Sequence, residues 1–263
     1  MEDTDAATLA AADAPRLQAA PPEWLETGKS VLVALLVVLV VRVLLFQPFT
    51  IPSGSMEPTV LPGDYVIITK FNYGYSRHSM PLSLPLFKGR VFDHAPQRGD
   101  IIVFKLPRDG HTDYIKRLIG LPGDRIQVTG GVVFVNGKAI SRQETTPGEE
   151  IGPLGLTRPV QRFRETLPGG KSYETDSYGP DGEADNTGVY VVPAKNYFFM
   201  GDNRDNSADS RFPTAIGVGY VPEENLVGKA SLVLLSWDDK ASLFKPWTWI
   251  LDARPERFFH VLH

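Results

Sequence analysis

The sequence predicts a mostly β fold, an antiparallel β-sheet domain following one N-terminal transmembrane helix. Three observations point there. The run from Val31 to Val41 is wholly apolar and resumes after Arg42, from Val43 to Phe46. Beyond residue 47, short stretches rich in Val, Ile, Phe and Tyr recur between turn residues, the pattern of strands rather than of long helices. The 24 Gly and 22 Pro punctuate those stretches too often to leave room for uninterrupted helices.

Taken in chain order, residues 1–28 are rich in Ala, Asp and Pro without a periodic apolar face, and read as a disordered cytoplasmic tail. Residues 29–48 read as the membrane anchor. Ser30 to Pro48 makes 19 residues, about 28 Å as a helix and just enough to span a bilayer. Arg42 falls within about one turn of the end, where a long side chain reaches the interface at modest cost. So short a clean run also suits a cleaved signal peptide or a buried helix. Against cleavage, residues 47–55 contain no Ala-x-Ala site, and the preceding stretch is long and acidic rather than short and basic. Arg16 and Lys29 are the positive residues before the segment, and Lys29 at its boundary favours a cytoplasmic N-terminus.

Strands are expected at Tyr65 to Lys70, Ile101 to Phe104, Ile126 to Val128, Val132 to Val135, Val189 to Val192, Tyr197 to Met200 and Lys229 to Leu235. Gly-Asp, Pro-Gly and Asn-Gly turns bound them, and Val135-Asn136-Gly137-Lys138 signals a type I′ hairpin. Residues 49–140 and 197–236 would together form the β domain. Residues 141–196 read as an insert, because Ser141 to Asn186 is poor in apolar residues and crowded with Gly, Pro, Glu and Thr. It would be a subdomain or a long loop, with no chemistry visible in it. The last segment, 237–263, mixes Trp237, Phe244, Trp247, Trp249, Phe258 and Phe259 with Lys240, Lys245, Arg254 and Arg257. That composition suits a membrane interface or ordinary core and rim packing.

The net charge of -4 and pI near 5.8 offer no general attraction to phosphates, so nucleic acid is not an expected partner. With no cysteine, disulfides, thiolate nucleophiles and Cys-ligated metals are excluded. There is no Walker loop, no Gly-x-Gly-x-x-Gly after a strand and no His/carboxylate cluster at ligand spacing, so neither a metal nor another cofactor is expected.

The chemistry lies in three places. Ile51-Pro52-Ser53-Gly54-Ser55-Met56-Glu57-Pro58-Thr59 sets two serines in an irregular backbone that can present a hydroxyl, although the same residues can mean only a turn. None of His78, His94, His111, His260 and His263 stands in a context that suggests a triad. A neutral lysine can replace histidine as base, and Lys116 lies in the β-prone run Tyr114-Ile115-Lys116-Arg117-Leu118-Ile119-Gly120. Alternation puts Lys116 and Arg117 on opposite faces. Lowering a lysine from near 10.4 by about 3 units costs roughly 4 kcal/mol, which burial can impose. A lone strand lysine can equally be a solvated edge residue. The third place is Gly201-Asp202-Asn203-Arg204-Asp205-Asn206-Ser207-Ala208-Asp209-Ser210-Arg211, a polar run after an apolar strand, suited to a site wall or merely to tight turns.

Four blocks in this order resemble the type I signal peptidases, or leader peptidases, a family of Ser/Lys-dyad serine proteases. They are Ser53 to Thr59, Arg98-Gly99-Asp100-Ile101-Ile102-Val103-Phe104, Tyr114 to Arg117 leading into Gly120-Leu121-Pro122-Gly123-Asp124, and Gly201 to Arg211. The matching region runs from about Arg42 to Gly228. The resemblance implies the antiparallel fold shared with the SOS-repressor proteases, and a membrane-bound endopeptidase that removes signal peptides from exported preproteins after small residues, at Ala-x-Ala. It implies Ser55 as nucleophile and Lys116 as general base, with the Ser53 hydroxyl and the Ser55 backbone N–H as oxyanion hole. Ser207 would orient Lys116, while Asp209, Arg211 and Arg117 would form a supporting ion-pair network. Ile51, Pro52, Val60, Tyr114 and Ile115 would line pockets for alanine-sized side chains.

The implied partners are signal peptides and membrane lipid. The implied location is the bacterial inner membrane, single-pass, with the N-terminus cytoplasmic and the catalytic domain outside. This chain departs from the pattern in having one apparent anchor where some members have two, in lacking the insert cysteines some carry, and in its longer stretch between Arg211 and Tyr220. A narrow-substrate pilin-maturation protease and a non-catalytic tethered scaffold are the competing readings.

Overall fold

A computed structural model describes residues 22–80, 83, 89–151, 157–238 and 247–262. The chain divides between Val40 and Val41 into two compact units. Helix α1 (Glu23–Leu44) has 22 residues, about 33 Å at 1.5 Å per residue. Its apolar side chains from Val31 to Val41 stand exposed, as lipid-facing residues do, and Arg42 falls in its last turn.

The expected anchor limits of 29 and 48 are both displaced. Glu23 to Gly28 are helical rather than part of a tail, while residues 1–21 of that tail lie outside the described residues. At the other end the helix stops at Leu44, and strand β1 (Phe46–Thr50) follows. Pro48 accounts for this, since it removes a backbone donor and biases the residue before it towards extended geometry. A proline is tolerated in β1 because that strand is an edge, paired only with β2 (Asp64–Thr69).

The largest sheet continues from β1 and β2 through β17 (Leu226–Ser236), β5 (Ile101–Lys105), β6 (Asp113–Gly120) and β15 (Asn196–Met200) to β16 (Val221–Pro222). Strand β18 (His260–Val261) also pairs with β17, beyond the residues that pair with β5. Every pair in the sheet is antiparallel. The interruptions of register along β17 are bulges, which let one long strand bend to serve several neighbours.

Two smaller sheets follow. One takes the order β14 (Tyr190–Val191), β7 (Arg125–Thr129), β8 (Val132–Val135), β9 (Lys138–Ala139). Its β8–β9 turn holds Asn136 and Gly137 at φ 54° and 79°, both positive as a type I′ hairpin requires. The other has β12 (Thr157–Thr166) between β10 (Ser141–Glu144) and β11 (Gly148–Ile151), with β13 (Ser172–Ser177) also on β12. Residues 141–196 are therefore built around a sheet rather than a long loop. The short pair β3 (Tyr75–Ser76) and β4 (Arg90–Val91) completes the strands among the described residues.

The core decides where the polar motifs point. Ile51, Met56 and Val60 are buried with Ile101, Val103, Ile115 and Val227, so the Ser53-to-Thr59 segment is pinned at both flanks by apolar anchors. In β6, Ile115 and Ile119 enter two clusters while Tyr114 and Leu118 meet in a third, the alternation expected of a strand buried on both faces. Near the C-terminus, Phe258 packs on Trp237 with ring centroids 6.0 Å apart. Trp247, Trp249, Ile250, Leu251 and Phe259 are exposed, and Lys240, Phe244 and Lys245 lie outside the described residues.

Candidate active site

The buried flanks of the Ser53-to-Thr59 turn press its centre against β6. Lys116 Nζ lies 2.6 Å from Ser55 Oγ and donates to the Ile115 carbonyl at 2.9 Å. Lys116 is 3% exposed, so its amine has lost most of its water. Burial lowers its pKa from 10.5 to about 8; Asp209 and Asp202 work against the shift and Arg211 adds to it. An amine so placed is a base within hydrogen-bonding reach of a hydroxyl.

Ser53 is exposed, and its hydroxyl has no hydrogen bond to the described residues. The Ser55 backbone N–H is also without a backbone acceptor among them. Two donors thus stand open two residues apart on one turn. Of the expected pocket residues, Ile51, Val60 and Ile115 share one apolar cluster. Tyr114 belongs to another, its ring centroid 5.5 Å from Lys116 Nζ, and Pro52 is exposed.

Of the expected ion-pair residues, Arg117 and Arg211 hold different carboxylates, Asp202 and Asp209. Arg117, wholly buried, takes Asp202 bidentately at 2.8 and 2.7 Å and donates to the Gly99 carbonyl at 2.9 Å. Asp202 also accepts from Thr59 Oγ1 at 2.5 Å, which ties the serine segment to the polar run. Arg211 holds Asp209 at 2.9 and 2.8 Å, and Asp209 accepts from the Gly201 N–H at 2.9 Å. Burial alone would raise the Asp209 carboxyl; Arg211 and these N–H groups hold it below the usual range instead. Ser207 Oγ is buried without a hydrogen-bond partner among the described residues. It lies over Gly201, where an added Cβ would be 2.3 Å from Ser207 Oγ and 2.4 Å from the Ser55 carbonyl oxygen.

The structure adds residues that sequence reasoning left without a role. Strand β13 runs beside the polar run: Asp176 N–H donates to the Asp202 carbonyl at 2.9 Å, and Arg204 N–H to the Asp176 carbonyl at 2.8 Å. Arg204 is buried against Glu165, and the half-buried Arg162 pairs with the buried Asp176 at 2.7 Å. Glu57 is 4% exposed, and its Oε1 would lie 2.4 Å from a Cβ on Gly54, between the two serines. Burial first, then the charges of Glu150 and Asp176, raise its carboxyl to about 7. Asp202 and Glu57 sit inside motifs that were visible in the sequence, though neither was given a role there; Glu150 and Glu165 carried no such signal. Among the described residues no group of three His, Asp or Glu side chains is placed to hold a metal ion.

Comparison with known proteins gives the family. A family model described as signal peptidase, peptidase S26, matches residues 24–237. Proteins named signal peptidase I from Rickettsia typhi and Rickettsia canadensis are 44% and 41% identical, over 86% and 92% of this chain and 89% and 93% of their own. A solved signal peptidase I from Enterococcus faecalis V583 is 25% identical with a TM-score of 0.31, over 52% of this chain and 98% of its own. With the family model covering most of its length and relatives above 40% identity along nearly all of theirs, this chain belongs to the signal peptidases of family S26 and is a membrane-anchored peptidase.

Proposed function

We propose that this protein removes signal peptides from exported preproteins after small residues, at Ala-x-Ala, through Ser55 and Lys116 and a covalent acyl-enzyme. The observation that carries the reading is the 2.6 Å approach of a buried, partner-poor lysine to a serine hydroxyl. In its neutral form Lys116 accepts the Ser55 proton as Oγ attacks the scissile carbonyl. The negative oxygen that results is met by the Ser55 N–H, which has no backbone acceptor among the described residues, and by the exposed Ser53 hydroxyl. Collapse expels the amine of the mature protein, which takes the proton from Lys116. Water, deprotonated by the same lysine, then releases the signal peptide from Ser55.

Ile51, Val60 and Ile115 would admit small side chains and exclude bulky ones. Arg117–Asp202 and Asp209–Arg211 act as the frame of the site. Helix α1 would anchor the chain in the bacterial inner membrane with its N-terminus cytoplasmic, so that the β domain meets preproteins on the outer side. Signal peptides and membrane lipid are the partners of this reading, and it requires no cofactor.

The test is cleavage of a preprotein bearing an Ala-x-Ala site by wild type, Ser55→Ala and Lys116→Ala in detergent, with the new N-terminus read by mass. Wild type should cut after the second Ala, and both folded variants should lose the activity by several orders of magnitude. A Ser55→Ala protein that processes at the wild-type rate would falsify the dyad.

A further inference from the structure

The turn that holds Ser55 is itself held from the inserted sheet. Asn203 N–H donates to the Ser55 carbonyl at 3.3 Å. The side-chain amides of Asn203 and Asn206 both donate to Glu150 Oε1, at 3.0 and 2.6 Å. Asn206 N–H closes the turn on Asn203 Oδ1 at 3.2 Å. Glu150 and Asn203 are buried, so the carboxylate is shielded from the water that would otherwise compete for it. We infer that Glu150, carried on β11, is a positioning residue for the nucleophile, setting through Asn203 and Asn206 the backbone that grips Ser55.

The inference rests on Ser55 being the nucleophile. It gives residues 141–196 a share in catalysis that their composition did not suggest. The physical argument is one of precision. Ser55 Oγ must stay within reach of both Lys116 Nζ and the scissile carbon, and a displacement of about 1 Å costs up to about 100-fold in rate. Removing the Glu150 carboxylate leaves two amide groups without an acceptor, and the turn is free to shift. A glutamine at 150 keeps an oxygen that accepts the same two bonds.

The test uses the full chain in detergent, with kcat and KM measured separately on an Ala-x-Ala preprotein for wild type, Ser55→Ala, Glu150→Ala, Glu150→Gln and Asn206→Ala. Glu150→Ala should lose about 10- to 100-fold in kcat with KM within about threefold. Glu150→Gln should stay within about fivefold of wild type, and Asn206→Ala, a change at an exposed side chain, should lose about three- to tenfold in kcat. Ser55→Ala inactive with folded Glu150→Ala at wild-type kcat overturns the positioning role, as does a Gln variant no better than Ala. Should Glu150→Ala not fold, an unchanged kcat in Asn206→Ala overturns it. An active Ser55→Ala sinks the nucleophile assignment instead, and this inference with it.

Discussion

Lys116, 2.6 Å from the Ser55 hydroxyl, and Glu57, two residues beyond Ser55 in sequence, are opposite ionisation problems. Burial favours the neutral form of each, which lowers the lysine to about 8 and raises the carboxyl to about 7. In the proposed mechanism the neutral Lys116 amine is the base, so kcat/KM should rise about tenfold per pH unit below pH 8 and level off above it. A profile of kcat/KM with an apparent pKa still near 10.5 would contradict the burial argument. For Glu57 the consequence is in stability. Between its ordinary 4.5 and its folded value of about 7, the folded chain keeps a proton that the unfolded chain has released. Stability therefore falls as pH rises through that window, and the loss is complete above pH 7. At about 1.4 kcal/mol per unit it amounts to at most about 3.5 kcal/mol. Glu57→Gln should melt higher than wild type at pH 8, and the gain should shrink towards pH 4.5. Melts that differ equally at both pH values count against it.

Among the structural segments, the turn from Gly201 to Asn206 is the most constrained. Asp202 closes a bidentate pair with the buried Arg117, and Asp176 of β13 brackets the turn from the other side. Gly201 faces Ser207 Oγ and the Ser55 carbonyl so closely that a Cβ would stand 2.3 and 2.4 Å from them. One of those atoms is backbone and cannot rotate away. Gly201→Ala should therefore displace Ser55 and cost about 100-fold in kcat, with the β domain still folded. Circular dichroism alongside preprotein cleavage checks this, and an active Gly201→Ala would show that Ser55 tolerates the shift. The inserted sheet was opaque in sequence for a physical reason. Much of what it buries is ionic, Arg204 on Glu165 and Arg162 on Asp176, and paired charges leave no apolar period to read. Glu150 reaches its partners from over 50 residues away in sequence, a distance at which no spacing rule operates.

Over the whole molecule, the strands of the large sheet were legible because turn residues bracket apolar runs. Asp64–Thr69, Ile101–Lys105 and Asn196–Met200 lie where those runs lie. The Ser55 and Lys116 motifs were legible as candidates, and their 2.6 Å approach required the fold. The helix end was misjudged because hydropathy continues through Phe46, where backbone pairing with β2 takes over. Strand β17 carries one further consequence. It separates β2, which follows Ser55, from β5, which pairs with the strand of Lys116. Its residues, 226–236, are joined to both only across long stretches of chain, and such non-local pairing is slow to form. The 2.6 Å approach of Lys116 to Ser55 therefore waits on the pairing of a strand far from both in sequence, and the order in which the chain folds puts the site last.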